Sequence, residues 1–245
     1  MRVQTILFFL LFSASAFGAP QSDALPSAEV VVARLLEHNA QREARAGGYT
    51  GMRIYALQNE HLHRSAQMLV RVECDAHQEK HFTVVSEQGW KAAEKHVLHK
   101  MLESEAEASS PDMRAKSELN TDNYEFHMVR TALSGDRVEY VLDVVPRRHE
   151  ERLFEGQIWV DAQDYALTRA EGHPARNPSF WIRSVHFVQT YQKAGPLWFP
   201  NSTDSITKVR ILGATTLTIS YFDYAPNSTP DTQSARAVLQ EGVTR

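Results

Sequence analysis

The sequence predicts a mainly β protein, an antiparallel sheet that curls into a barrel or an open half-barrel and is covered by amphipathic helices. Three observations carry this. From Tyr124 to Tyr224 the chain runs as successive segments that alternate apolar with polar residues, each closed by a short turn. Two stretches of helical period, one before and one after three early strands, are apolar on one side only and so need a surface to cover. A single cysteine, Cys74, leaves the fold to a packed core, because no internal disulfide is available.

The first residues read as a secretion signal. Arg2 gives a positive start, Ile6–Phe12 an apolar run too short to span a bilayer, and Ser13–Ala19 the small residues a signal peptidase needs. Cleavage after Ala16 or Gly18 fits, with Pro20 disfavouring a cut after Ala19. The expected layout is a signal peptide over 1–18 and one domain over 19–245. No cysteine lies near the cut, so a lipid anchor is not expected. The composition holds 26 Lys+Arg and 30 Asp+Glu, a net charge of −4 that argues against nucleic acid as a partner. No later segment is apolar enough to cross a membrane as a helix.

The expected mature chain opens with a helix capped by Ser27, with the stripe Ala28, Val31, Val32, Leu35 and Leu36 on one side and Gly47–Gly48 at its end. Three strands follow. Met52, Ile54 and Ala56 form one face of the first; Met68, Val70 and Val72, continued by Cys74, form one face of the second; Phe82–Val85 is a short apolar run. Arg53 and Arg71 read as solvated charges on outer faces. Trp90, Ala93, Val97 and Met101 then recur at helical spacing, widened by Leu98 and Leu102. Residues 104–119 are poor in apolar side chains and read as a flexible loop.

The meander continues through the face Tyr124, Phe126, Met128, then Val138, Tyr140, Leu142, Val144, and on through 157–161, 166–171, 182–191, 203–211 and 215–224. A ten-residue strand is roughly 33 Å long. Several of these are long for a sandwich, which favours curling.

No complete catalytic set is present. His61 with His63 on one strand face, and His96 with His99 on one helix face, have metal-ligand spacing but lack a local carboxylate or cysteine to complete them, and no metal or cofactor is expected. Asp161 and Asp164 flank a tight hairpin, where Asp is common for turn reasons. There is no nucleophile elbow, HExxH helix or phosphate loop. A metal-dependent hydrolase is therefore the weakest of the functional readings. Aromatic residues at 177–181 and 197–199, with Trp181, Trp198 and Phe199 at strand ends, fit either a plugged rim or a surface for a partner protein or the membrane.

Leu153–Gly172 (LFEGQIWVDAQDYALTRAEG), the long strand ending at Tyr191, the LWFP of 197–200 and the final ILGATTLTISYFDY together resemble the periplasmic LolA-type lipoprotein-sorting proteins. Their superfamily includes LolB-like acceptors and RseB-like stress regulators. The resemblance implies an unclosed, strongly curved antiparallel β-barrel with helices covering an apolar concave face. It implies a non-catalytic carrier of lipoprotein acyl chains or other lipids in the periplasm, with an inner-membrane transporter or outer-membrane acceptor as further partners; an envelope sensory or regulatory module is the alternative. The cavity candidates are Met68, Val70, Val72, Phe126, Met128, Tyr140, Leu142, Phe187, Leu217 and Ile219. The lid candidates are Trp90, Val97, Leu98 and Met101. Family carriers also hold the closed lid with a strand arginine, a role for which Arg53 and Arg71 are the candidates here.

Overall fold

The computed structural model describes residues 25–195, 197–210 and 213–227. The secretion signal and both cleavage positions lie outside the described residues.

Helix α1 (Ala28–Ala46) starts where the sequence predicts. The Ser27 side chain accepts the Val30 amide, and Gly47 ends the helix in the left-handed conformation with φ 59°. The chain then forms β1 (Tyr49–Asn59), β2 (Arg64–Cys74) and β3 (Lys80–Gly89). Next come the short helix α2 (Lys91–Ala93), a π-helical turn (Glu94–Leu98), α3 (His99–Ser109) and α4 (Pro111–Ser117). Seven strands follow: β4 (Tyr124–Ser134), β5 (Arg137–Pro146), β6 (Phe154–Asp161), β7 (Leu167–Pro174), β8 (Ile182–Ala194), β9 (Leu197–Val209) and β10 (Gly213–Pro226).

All ten strands form one antiparallel sheet in the order β3-β2-β1-β10-β9-β8-β7-β6-β5-β4. Its two edges, β3 and β4, are consecutive in the chain and are not paired with each other, so the sheet is open. The chain therefore leaves one edge and re-enters at the other. The link that does this, residues 90–123, carries α2 to α4 past the sheet and supplies the second helical cover.

Each cover buries its own half of the sheet. Val31, Val32 and Leu35 of α1 pack on Leu142, Val144, Ile158, Val160 and Ala170. Ala93, Leu98 and Leu102 pack on Tyr55, Leu57, Met68, Val70, Val72, Ile219 and Tyr221. Burial of one such Leu or Val side chain is worth about 1.5–3 kcal/mol, so the period-2 patterning of the strands and the helical stripes fix this arrangement together.

Five sequence-based expectations change. Arg53 faces inward and is 3% exposed, because Arg53, Tyr55 and Leu57 form the core face of β1 and Met52, Ile54 and Ala56 the other. Val97 is 40% exposed: the wide π turn advances the buried stripe by one residue, from Ala93 to Leu98 instead of Val97. Residues 104–119 are mostly helical, since they are rich in Ala and Glu and Pro111 sits at the first turn of α4. His61 and His63 lie in the β1–β2 turn, not on a strand face. Val138 is exposed near the start of β5, leaving Tyr140, Leu142 and Val144 to face the core.

Candidate functional site

The cover formed by α2, the π turn and α3 is pinned to the sheet by three charges. Arg53 Nη1, from β1, donates to Glu105 Oε1 and Oε2 at 2.9 and 2.8 Å and to the Tyr55 hydroxyl at 3.2 Å. Lys80 Nζ, at the start of β3, donates to Glu105 Oε1 at 2.8 Å. The Lys80 amide donates to Ser109 Oγ at 2.9 Å, and that hydroxyl donates to the Ala106 carbonyl at 2.7 Å. The Arg53 guanidinium also lies 4.8 Å from the Tyr221 ring centroid and 5.4 Å from that of Phe82. One carboxylate of α3 thus ties together β1, β3 and the cover.

The electrostatics follow from burial and pairing. Burial alone would raise the Glu105 carboxyl, but Lys80 and Arg53 beside it outweigh that and bring it down to about 2. Burial disfavours the charged forms of Arg53 and Lys80, yet the Glu105 carboxylate holds both above their ordinary values. Burial pushes the Tyr55 hydroxyl up to about 12. The latch is fully ionised at neutral pH.

The same cover carries a weak point. Glu94, in the π turn, is 2% exposed; Lys91 Nζ donates to its Oε2 at 2.8 Å, while Oε1 finds no hydrogen-bond partner among the described residues. A buried carboxylate oxygen left without a partner costs about 1–3 kcal/mol. A polar cleft of about 670 Å³ lies beside it, lined by Glu87, Lys91, Lys95, His96, His99 and Lys100 among others. His99 pairs with Glu87 of β3, a second contact between cover and sheet.

The predicted cavity residues divide between the two covers. Met68, Val70, Val72, Leu217 and Ile219 lie beneath α2 and α3, in the cluster that Trp90, Leu98 and Met101 join. Phe126, Met128, Tyr140, Leu142 and Phe187 lie on the α1 side. Cys74 is buried at the end of the β2 face. Arg71 is on the outer face and is exposed. Among the described residues no group of three or more His, Cys, Asp or Glu side chains is arranged to hold a metal ion. Asp161 and Asp164 shape their turn and tie it to neighbouring strands: Asp161 accepts the amides of Gln163 and Asp164 at 3.0 and 2.6 Å and Arg137 Nε at 2.7 Å, and the Asp164 carboxylate gathers Arg137, Lys193 and the Trp198 indole.

Glu105, Lys80, Ser109 and Glu94 are functional candidates that sequence reading missed. Glu105 stands one helical turn beyond Met101 and Leu102 and two beyond Leu98, on the same side of the helix. A lone carboxylate continuing an apolar stripe is the signal that could have found it.

The family of unknown function DUF5686 matches residues 117–225, which run from the end of α4 through β4–β9 and all but the last residue of β10. No curated protein matches the sequence. Several solved structures are similar in fold. A LolA superfamily protein from Nitrosomonas europaea is 10% identical with a TM-score of 0.44, over 85% of this chain and 97% of that one. An outer membrane lipoprotein-sorting protein domain from Vibrio parahaemolyticus is 12% identical with a TM-score of 0.45, over 84% of this chain and 97% of that one. The MucA/MucB complex of Pseudomonas aeruginosa gives 10% identity and a TM-score of 0.28, over 82% of this chain and 99% of the matched one. At this similarity the function rests on the chain's own geometry.

Proposed function

We propose that this chain is a non-catalytic binder of lipid acyl chains. It takes them onto the apolar strand face beneath α2, the π turn and α3, and serves as a periplasmic carrier of a lipoprotein or other lipid. The observation that supports this is the latch. A helix meant only to fill a core needs no charges beneath it, and well-packed apolar residues in place of a buried ion pair are often as stable or more so. Three charges under an amphipathic cover make it releasable: on opening, Arg53, Lys80 and Glu105 all regain water, which offsets the lost pairing.

The other cost of opening is apolar. Met68, Val70 and Val72 lose the contacts they make with Leu98 and Leu102. An acyl chain laid along the same strands restores them at roughly 0.8 kcal/mol per buried CH₂. Met68, Val70, Val72, Leu217 and Ile219 are the proposed lining, and Trp90, Leu98 and Met101 the moving side.

Native mass spectrometry of the protein purified from its own envelope tests this, together with titration of a fluorescent fatty acid. Co-purifying phospholipid or acylated peptide and saturable uptake are expected. A reproducibly empty protein that takes up no fatty acid contradicts the proposal.

A further inference from the structure

The β7–β8 connection carries the most exposed aromatic pair described. Phe180 is 77% and Trp181 55% exposed, and neither belongs to any of the three apolar core clusters. The pair is held out by design of the backbone around it. The Ile182 amide closes the turn onto the Ser179 carbonyl at 3.0 Å, and the Arg210 amide donates to the Trp181 carbonyl at 2.9 Å. Arg210 Nε donates to the Phe180 carbonyl at 2.9 Å, and its guanidinium lies 4.8 Å from the Phe180 ring centroid. The two rings meet edge to face at 5.8 Å. Thus the end of β9 holds both aromatics outward.

Four cations stand at this end of the sheet: Arg176 and Arg183 flank the pair in the chain, and Lys208 and Arg210 lie at the end of β9 beside it, in a protein whose net charge is −4. Arg183 and Lys208 are exposed on the adjoining strand ends, where Ser184 pairs with Lys208 and Ile182 with Val209. Of the cations at the tip, Arg176 is ion-paired, with Glu151 at 3.1 Å. Trp and Phe with adjacent Arg and Lys are the side chains that partition into a headgroup region: the rings displace interfacial water and the cations meet lipid phosphates.

We infer that the β7–β8 tip, through Phe180 and Trp181 with Arg183, Lys208 and Arg210, docks the protein on an anionic lipid surface. The inference is independent of the acyl-binding reading, since the tip shares no residue with the covered face. The occupant is a bilayer because the cations are spread around an aromatic point, and each exposed cation near an anionic membrane adds attraction that salt screens.

Co-sedimentation with vesicles of 3:1 phosphatidylcholine and phosphatidylglycerol tests it. The full chain is expected to partition onto these vesicles, to bind pure phosphatidylcholine at least about tenfold more weakly, and to be released by 0.5 M salt. Phe180→Ser/Trp181→Ser is expected to lose about tenfold in partitioning, and Arg183→Gln/Lys208→Gln a comparable factor. Fatty-acid uptake and the circular dichroism spectrum should be unchanged in both double variants, which separates docking from acyl binding and from misfolding. A blue shift in fluorescence on vesicles, absent in Trp181→Phe, would place the indole in the headgroup region. Equal binding to neutral vesicles, wild-type partitioning of the aromatic variant, or a tip that instead mediates self-association in sedimentation velocity would each overturn it.

Discussion

The two helical covers rest on one sheet and are held by different physics. Helix α1 is unbroken, capped at both ends, and buries Val31, Val32 and Leu35 against β5–β7. Its polar contacts go to main-chain carbonyls: His38 Nδ1 donates to the Asp164 carbonyl at 3.0 Å, and Arg42 donates to those of Asp164 and Tyr165 at 2.9 and 3.1 Å. The cover over β1–β3 and β10 is interrupted by a π turn, buries Glu94 with one unsatisfied oxygen, and is pinned by Arg53, Glu105 and Lys80. The first is a continuous, capped part of the core. Under the proposed function the second is the cover that releases, and π turns inside helices are frequent at functional sites.

The largest expected effect is on the permanent side. Leu35→Ala removes a side chain that is 1% exposed and should cost about 4 kcal/mol of global stability in urea unfolding, seen by every probe at once. A loss confined to α1 would show that the two covers do not differ in the way described. On the releasable side, Arg53→Leu should cost about 2 kcal/mol. This is below the usual figure for breaking a buried pair, because Glu105 is about a third exposed and keeps Lys80. The loss should appear as faster limited proteolysis within 91–109 with little change at 28–46, and as tighter fatty-acid binding.

Glu94→Met should act in the opposite direction. Removing the orphan carboxylate stabilises the cover by about 1 kcal/mol and slows acyl uptake, measurable as a lower on-rate in stopped flow. A destabilised variant would mean that Glu94 has a role in the closed state that its contacts do not reveal. Acid should give the smallest and most graded effect. Glu105 titrates below the ordinary carboxylate value of 4.5, at about 2, so its contribution is complete above pH 4.5 and is lost as pH falls toward 2. Asp161 and Asp164 are also held low by their cations and loosen the β6–β7 turn on acidification, so wild-type unfolding alone is not diagnostic. The discriminating result is an acid-induced rise in proteolysis of 91–109 that Glu105→Gln, open at all pH values, no longer shows.

How legible all this was in the sequence also differs between the two sides. The α1 cover could be read in full, because Ser27, the Val31–Leu35 stripe and Gly47 are local signals. The meander could be read because side chains of a strand alternate with period 2. The releasable cover was read as a helix, but its detail depends on partners far away in the chain. β1 is apolar on both faces, and Met52, Ile54 and Ala56 compete with Tyr55 and Leu57; the buried Arg53 is made tolerable chiefly by Glu105, fifty-two positions along. The π turn shifts the stripe from Val97 to Leu98 without a composition cue. The stretch 104–119 looks unable to pack because it is poor in apolar residues, yet its helix propensity is high and polar contacts of Glu105, Glu107 and Ser109 fasten it.

Hydrogen exchange measured by mass spectrometry on the full chain at neutral pH, with and without a saturating fatty acid, tests the central claim most directly. Without ligand, amides of 91–109 should exchange by local opening well before those of 28–46, and ligand should change exchange in 91–109 and in β2 while leaving α1 as it was. Equal protection of both helical covers, each opening only with global unfolding and neither responding to ligand, would contradict the account.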